Sequence, residues 1–366
     1  MTPQIDGPAP DAGQEPAAPR RRSPRRKLGQ YTIHDVAALA GVSSITVSRY
    51  FRAPHKVSEA MQARLREVIA ETGYVPSQMA GRLASAQSRV VGAVMQNTAT
   101  VTFAELVRGM SEGLEEGGLQ LLLANTNYSR QRETRAIEAF AGWHPSALIV
   151  TRDDHEPQAE AALRALRSPV VETWGVVPGR PFHQVGFPHS EVGVQLTEHF
   201  LAQGVHRIRF AVRNVAQDFR ARQRTLGYEA AMRDAGLVPD VQYSDSEDEM
   251  QAGADLLARY AAEPAAQRPR AIIFASDNMA AGAILQAGRL GLRLPRDCAV
   301  AGFGDAAVGS WLEPTLTTVK PEPYRIGATV ARLVTDLVAH PDPQRPPETH
   351  LVPCRLVVRE SSRVMA

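Results

Sequence analysis

The first domain is determined by the stretch Tyr31–Ser58, which reads YTIHDVAALAGVSSITVSRYFRAPHKVS. Thr32 stands just before an apolar run, and Asp35 follows it three residues later. A hydroxyl and a carboxylate at this spacing form a capping box, in which each side chain accepts a hydrogen bond from the other residue's backbone N–H. The pattern therefore predicts a first helix over residues 32–40.

A turn and two further helices follow. Gly41 lies where a sharp turn requires a positive φ, and Ser43 can cap a second short helix over Ser44–Phe51. A third helix is predicted from Ser58 to Gly73, because apolar residues recur there every three or four positions. Three short helices at this spacing predict a small all-α helix-turn-helix domain over residues 31–75.

The second helix has an outward face suited to DNA. Val47 is expected to point into the core. The residues left on the outward face of its first half are Ser44, Ile45, Ser48 and Arg49. Side chains of this size and chemistry can touch base edges in the major groove, and Ile45 would favour a thymine methyl group because it offers only apolar contact.

The order of these motifs is similar to that of a known family. A capped helix, then AGVS, two variable residues, TVSR and a later VS resembles the lactose-repressor family of bacterial transcription regulators. The chain departs from the family pattern at 50–52, where it has Tyr-Phe-Arg instead of a small apolar pair and an asparagine. The resemblance implies that Ser44 and Ile45 select bases, that Arg49 contacts a base, and that hydroxyl groups meet phosphate. The residues expected at the DNA are Thr32, Ser43, Ser44, Ile45, Thr46, Ser48, Arg49, Tyr74 and Leu83.

A hinge is expected over residues 76–88. The segment Tyr74–Ser85 stands where the family has its hinge helix. Leu83 occupies the position of the leucine that the family inserts into the minor groove at the centre of a palindrome. The alternative is a plain linker, because Gly81 lowers helix propensity by roughly 1 kcal/mol relative to alanine.

Length, composition and charge agree with a DNA-binding protein of several domains. The chain has 366 residues, more than the ~100–200 of one domain, and 44% of them are hydrophobic. Residues 1–30 hold six prolines and six basic residues, which predicts a disordered tail or a phosphate-seeking arm. Residues 1–89 carry 13 basic and 7 acidic side chains, whereas the rest carries 28 and 32. The amino-terminal end is therefore the one expected to meet nucleic acid.

Several other classes of protein are disfavoured. No apolar segment suits a secretory signal or a membrane span, so a cytoplasmic location without membrane contact is expected. Cys298 and Cys354 are too few for a disulfide framework, and the histidines lack ligand spacing, so neither a metal nor another cofactor is expected. Gly109–Gly113 spells a hydrolase nucleophile elbow, but it falls inside a predicted helix instead of a strand-to-helix turn. We therefore expect no enzyme.

From Val90 onward apolar strands alternate with amphipathic helices in two similar sets. Such repetition predicts two α/β lobes with parallel sheets. The family resemblance continues through ARQRTLGYEAAM, AIIFASDNMAAGAI, VAGFGD and EPTLTTVKPE, and it implies a two-lobed periplasmic-binding-protein-like domain over residues 89–359. It also implies that the chain passes between the lobes near residues 187, 316–320 and 345–350, with the ligand in the cleft.

The effector site is expected in that cleft. Arg224 matches the family's ligand-binding arginine and can grip hydroxyls or a carboxylate in bidentate fashion, although a surface salt bridge is the alternative. Asp277 can contact the ligand or cap the following helix, and Trp174 and Phe187 can stack on a sugar or pack in the core. Gly304 stands where sugar-binding relatives often have an aspartate. The residues expected at the effector are Gln96, Glu172, Trp174, Phe187, Arg224, Ser276, Asp277 and Asp305.

These expectations combine into a homodimeric repressor that binds a near-palindromic operator in double-stranded DNA and is controlled by a sugar or a sugar acid. The strings VVETW and GFGD resemble the gluconate-responsive branch of the family, which favours gluconate. Three alternatives stay open: a neutral sugar, a purine-type corepressor that strengthens DNA binding, and a ligand-binding α/β protein without a DNA-reading role.

Overall fold

The computed structural model describes residues 31–75, 88–98, 100–214 and 218–364. The chain divides into two compact units, one up to Ala86 and one from Gln87 onward. The tail predicted over residues 1–30 and nearly all of the predicted hinge, with Leu83, lie outside the described residues. No helix among the described residues is both long and apolar enough to cross a membrane.

The described part of the first unit contains three α-helices, α1 (Ile33–Ala40), α2 (Ser44–Arg52) and α3 (Glu59–Thr72). The capping box that the sequence predicted is present, since the Asp35 backbone N–H donates to Thr32 Oγ1 at 3.3 Å and the Thr32 N–H donates to Asp35 Oδ2 at 2.8 Å. Gly41 ends α1 with a φ of 69°, where a side chain would be strained. The shared core is formed by Val36, Val47, Leu65 and Val68.

The second unit alternates strands and helices, as the sequence predicted. Its strands are β1 (Val90–Met95), β2 (Gln120–Asn125), β3 (Ala147–Val150), β4 (Val170–Gly175), β5 (His183–Phe187), β6 (Ile208–Arg213), β7 (Asp240–Ser244), β8 (Ala271–Phe274), β9 (Ala299–Phe303), β10 (Thr317–Lys320), β11 (Thr349–Leu351) and β12 (Arg355–Val357). Its α-helices are α4 (Val101–Glu116), α5 (Arg130–Trp143), α6 (Pro157–Arg164), α7 (His189–Leu201), α8 (Phe219–Asp234), α9 (Glu249–Ala262), α10 (Asp277–Ala287) and α11 (Pro323–Ala339).

The described strands form two six-stranded sheets, one in each lobe. The first sheet has the order β11-β5-β4-β3-β1-β2 and is parallel throughout. The second has the order β12-β10-β9-β8-β6-β7, and only β12 runs antiparallel to its neighbour. Central strands are apolar on both faces because helices cover both sides, which leaves Ile149 and Ile273 fully buried.

The chain passes between the lobes at three places. It leaves β5 after Phe187, and it leaves β10 after Lys320. The third passage was predicted at 345–350, but it lies at 352–354, because Thr349–Leu351 still pairs with β5 in the first sheet. Each lobe is thus assembled from separate segments of the chain, and the carboxyl ends of the strands face the cleft between the lobes.

Glycines allow several helices of the second unit to touch through their backbones. A Cβ on Gly253 of α9 would lie 1.8 Å from the carbonyl oxygen of Met279 on α10. On α8, a Cβ at Gly227 would lie 1.9 Å from the carbonyl oxygen of Ser190 on α7. Gly109 similarly faces the backbone of Tyr324 from within α4, so the elbow-like string of the sequence is a helix-packing site.

We expect Gly253→Ala to lower the free energy of unfolding by about 1–3 kcal/mol, because the added methyl group forces α9 away from α10. Gly142→Ala in α5 is the matched control, since nothing lies within 4 Å of its Cβ position. That control is expected to be neutral or stabilising by up to about 1 kcal/mol. Urea unfolding measures both, and equal stability of the two variants would contradict the close packing.

Candidate DNA-reading face and effector cleft

Helix α2 presents a polar face with one exposed apolar side chain. Val47 is fully buried, whereas Ile45 is 67% exposed and Arg49 is exposed beside it. Ser44 and Ser48 are half-buried on the same helix. The first half of α2 therefore offers a small hydroxyl, an apolar group and a guanidinium, which are the groups that can read base edges.

Several hydroxyls on this unit are held by hydrogen bonds within the protein. Thr32 and Ser43 cap α1 and α2, and Ser43 Oγ lies 3.0 Å from Thr46 Oγ1. Ser48 Oγ accepts a hydrogen bond from Arg52 Nη2 at 2.6 Å. Arg52 is one of the residues that depart from the family pattern, and here it fixes a side chain of the outward face.

Tyr74 is half-buried after α3, and its ring centroid lies 6.2 Å from that of Phe51. Tyr50 meets Phe51 edge to face at 5.2 Å. The departure from the family at 50–52 is therefore accommodated by an aromatic cluster at the end of α2. The predicted site residue Leu83 lies outside the described residues.

In the second unit an aromatic layer lies between the lobes. The ring centroids of Trp174 and Phe187 are 5.5 Å apart, and Phe187 lies 6.0 Å from Phe303. Phe103 also packs against Trp174, with the ring centroids 5.3 Å apart. Trp174 is held at a φ of 77°, a region that large side chains rarely adopt, so its backbone is strained at the carboxyl end of β4.

Two arginines on the first turns of α8 point into this region. Arg220 and Arg224 are 5% and 6% exposed. The Arg224 guanidinium lies 4.5 Å from the Phe303 centroid, and its Nη1 donates to His189 Nδ1 at 3.0 Å. Arg220 Nη2 donates to the carbonyl oxygen of Thr151, which joins the second lobe to the first.

These arginines have unused hydrogen-bonding capacity. Within the described residues the Nε of Arg220 and the Nε of Arg224 have no hydrogen-bond partner, and the carboxylates that influence the two guanidinium groups do so without forming an ion pair. Burial lowers the pKa of both groups, that of Arg220 to about 10. Gln96, at the end of β1, is 3% exposed, and both polar atoms of its amide lack a partner within the same residues. Buried polar atoms without partners are rare in native proteins and indicate a place for a ligand or water.

A carboxyl and an imidazole complete the polar surroundings of the arginines. Burial raises the pKa of Asp153 to about 6, although the nearby Arg220 opposes this shift. Burial lowers the pKa of His189 well below its usual range, and Arg224 and Arg220 lower it further. His189 is therefore neutral, and because its Nδ1 accepts from Arg224, its proton is on Nε2, which lacks a partner within the described residues.

Glu172 was predicted in the effector shell, but the structure places its carboxylate inside a network of protein groups. Arg180 Nε donates to it at 2.9 Å and Gln184 Nε2 at 3.0 Å. His155 lies between Glu172 and Glu133, and although burial alone would lower the pKa of this imidazole, the two carboxylates raise it to about 9. Glu172 thus balances charge within the first lobe.

Three other predicted effector residues have structural partners. Ser276 caps α10 by accepting the Met279 N–H at 3.3 Å. Asp277 accepts from the Thr318 hydroxyl and from the Ala306 N–H, both at 2.7 Å, so it holds the turn after β9 instead of capping the helix. Asp305 pairs with Arg359 at 2.7 Å and with Lys320 at 3.3 Å. The hydroxyl of Ser276 and the carboxylates of Asp277 and Asp305 therefore already have partners within the protein.

The structure therefore brings together Gln96, Trp174, Phe187 and Arg224 of the predicted set, and it adds residues that the sequence interpretation missed. These additions are Phe103, Asp153, His189, Arg220 and Phe303. A usable signal existed for Arg220, which precedes Arg224 by one helical turn and so shares its face. Within the described residues no group of three or more His, Cys, Asp or Glu side chains is arranged to hold a metal ion.

Comparisons with known proteins agree on both units. The family model described as bacterial regulatory proteins, lacI family, matches residues 32–77, and a periplasmic binding protein-like domain matches residues 197–362. The HTH-type transcriptional regulator GntR of Escherichia coli (strain K12) is 32% identical over 296 residues, covering 81% of this chain and 88% of that protein. The Ribose operon repressor of the same strain is 30% identical over 312 residues, covering 84% and 92%.

Structural similarity extends over nearly the same length. The crystal structure of a lacI-family transcriptional regulator from Silicibacter pomeroyi matches with a TM-score of 0.81 at 26% identity, covering 91% of this chain and 100% of that chain. Both units and more than four fifths of the sequence are thus shared with such proteins. The chain therefore belongs to the lacI family of bacterial regulatory proteins, whose members are DNA-binding transcription regulators and not enzymes.

Proposed function

We propose that this protein is a cytoplasmic homodimeric repressor that binds a near-palindromic operator and is controlled by a sugar acid, with gluconate as the leading candidate. The observation that carries the effector class is the pair of buried arginines on α8. Arg220 and Arg224 have unpartnered Nε groups and no ion-paired carboxylate among the described residues. Burying a cation costs free energy unless an anion lies beside it. A ligand carboxylate would supply the negative charge that the protein does not place there.

The surroundings of the arginines suit the rest of such a ligand. Both the donor and the acceptor of the Gln96 amide lack a partner among the described residues. A ligand hydroxyl can both donate and accept, so it can bind to both atoms. Trp174 and Phe187 offer aromatic surface for the carbon chain. The similarity to GntR and the resemblance of VVETW and GFGD to the gluconate-responsive branch support gluconate over other acids.

A ligand in this place can bias the arrangement of the lobes. Arg220 belongs to the second lobe and donates to the Thr151 carbonyl of the first, and Arg152 of the first lobe lies 5.1 Å from the ring of Phe219 in the second. An anion on Arg220 competes with the first of these contacts. Ligand binding is then expected to change how the lobes close, and operator affinity changes with it.

Calorimetric titration with gluconate, a neutral hexose and a purine separates the three effector classes. Gluconate is expected to bind and to change operator affinity. If only the hexose or only the purine binds, the sugar-acid assignment is wrong, whereas the regulator assignment stands. A purine that strengthens operator binding would identify a corepressor.

Arg224→Ala is expected to weaken gluconate binding by about one to two decades, the effect of about 1.5–3 kcal/mol for a charge-assisted hydrogen bond. Arg220→Ala is expected to behave in the same way. The matched control is Arg222→Ala, because Arg222 lies between them on α8 with its side chain exposed. Both cleft variants should lose less affinity for the uncharged lactone. Equal losses from all three variants would contradict a carboxylate in the cleft.

Gluconate affinity is expected to rise as the pH falls from 8 towards 5. Burial raises the pKa of Asp153 to about 6, and a bound anion near Arg220 raises it further, so the complex takes up a proton that the free protein lacks at neutral pH. Each further unit of pKa shift corresponds to roughly a tenfold change in affinity. Asp153→Asn should abolish this dependence. Calorimetry in buffers of different ionisation enthalpy measures the proton uptake, and proton release would contradict the prediction.

On the DNA side, Arg49→Ala is expected to relax base preference at one operator position by about 1–3 kcal/mol without changing thermal stability. Arg66→Ala on α3 removes the same charge from another exposed position and serves as the control. Binding to the region upstream of the protein's own gene and to single-base variants of that site is measured at fixed salt. Loss of affinity by an equal factor at every sequence would show that Arg49 contacts only phosphate.

A further inference from the structure

A cavity of about 520 Å³ opens in the second unit beside the arginine pair. Its walls come from the loop after β4, the start of α7, the start of α8 and the segment that ends in β11. Gln96, Trp174, Phe187 and both arginines are absent from its lining. The cavity is therefore a space adjoining the proposed carboxylate site.

Three lining residues connect this cavity to the arginines. His189 accepts a hydrogen bond from Arg224 at 3.0 Å, and its Nε2, without a partner among the described residues, belongs to a side chain that lines the cavity. Phe219 lies 5.4 Å from the Arg220 guanidinium, and Asp153 is close enough to shift the pKa of Arg220. A ligand whose carboxylate meets the arginines can thus continue past His189 into the cavity.

The chemistry of the walls suits a hydroxyl-rich group. Phe182 and Phe219 supply apolar ring surface, while Asp153, Gln223 and His189 supply hydrogen-bonding groups. A few convergent polar groups on an apolar wall are typical of small-molecule sites, and sugars place hydroxyls around an apolar ring face.

The cavity does not suit a second anion. Arg180 is a lining cation, but its guanidinium pairs with Glu160 at 2.9 Å and with Glu172 at the same distance, so its charge is compensated. Asp153 and Glu191 add carboxyl groups to the wall. A phosphate group in the cavity would meet these carboxyl groups without a free cation among the described lining residues.

The size of the cavity exceeds what one six-carbon acid requires. The cavity volume of about 520 Å³ lies within the range of roughly 300–1,000 Å³ that is typical of sites for whole small-molecule ligands. An open-chain hexonate that is anchored at the arginines fills only part of this volume, which leaves space for a sugar ring.

We propose that the physiological effector is an aldonic acid that carries a glycosyl substituent, with its carboxylate on Arg220 and Arg224 and its glycosyl group in this cavity. This inference rests on the proposed sugar-acid function and extends it to a disaccharide acid. In this arrangement His189 and Asp153 hydrogen-bond with the hydroxyls of the glycosyl group, and Phe219 packs against its ring.

The test is calorimetric titration of the full chain with gluconate, with lactobionate, cellobionate and maltobionate, and with lactose. The best of the three disaccharide acids is expected to bind at least tenfold more tightly than gluconate. Lactose is expected to bind more weakly than gluconate and more weakly than that acid. If gluconate binds at least as tightly as all three disaccharide acids, the cavity proposal is overturned while the sugar-acid function stands. If no acid binds, both proposals fail.

Thr349→Trp tests whether the advantage arises in the cavity. Thr349 lines it from the exposed face of β11, so a larger side chain enters the cavity without disturbing a buried position. Thr349→Trp should remove the tenfold advantage of the disaccharide acid over gluconate and leave gluconate affinity within about twofold of its original value. Thr349→Ser should retain both the advantage and the gluconate affinity. Pro347→Trp, at an exposed lining position in the preceding loop, is a second variant with the same expected result. An advantage that survives both tryptophan variants would overturn the assignment.

Discussion

The effector-binding unit depends on the burial of two guanidinium groups whose charge the protein leaves largely unpaired. Arg220 and Arg224 occupy successive turns of α8, and this placement depends in turn on backbone contact between helices. A Cβ on Gly193 of α7 would lie 2.0 Å from the carbonyl oxygen of Arg224. Because α7 and α8 are that close, His189 reaches Arg224, and the aromatic layer can pack against the same guanidinium. The close packing of α7 and α8 thus fixes the direction in which the two guanidinium groups point.

In the first lobe, by contrast, the buried charged groups are paired with one another. There Glu172, Arg180, His155 and Glu133 neutralise one another within hydrogen-bonding distance. Each carboxylate of this network has a cationic partner, so its charge is balanced without a ligand, although Glu133 Oε2 and His155 Nε2 have no hydrogen-bond partner among the described residues. The contrast between a charge-balanced cluster in one lobe and an unbalanced pair in the other supports the proposal that an anion binds on the arginine side of the cleft.

Local features were predictable from the sequence, whereas partners distant along the chain were not. The capping box of α1, the turn at Gly41 and the alternation of strands and helices depend on residues a few positions apart, and the sequence displays them directly. Asp277 and Asp305 looked like ligand contacts because both follow strands in the cleft region. Their partners, Thr318 and Arg359, lie 41 and 54 residues away, so only the folded chain shows that these carboxylates are occupied. Arg220 was overlooked because its burial depends on which side of α8 meets the first lobe, and the local sequence does not show this.

The three passages between the lobes also determine how this protein can be recombined with its relatives. The first unit is contiguous up to Ala86, so a single junction suffices to exchange its operator specificity for that of another family member. Neither lobe is contiguous, because α11 and β11 of the first lobe lie in the sequence between β10 and β12 of the second. A chimera that exchanges one lobe needs a junction at each passage, near residues 188, 321 and 353. The two units can therefore be recombined as wholes through one junction, whereas a change confined to part of the second unit needs three junctions or individual substitutions in the cleft.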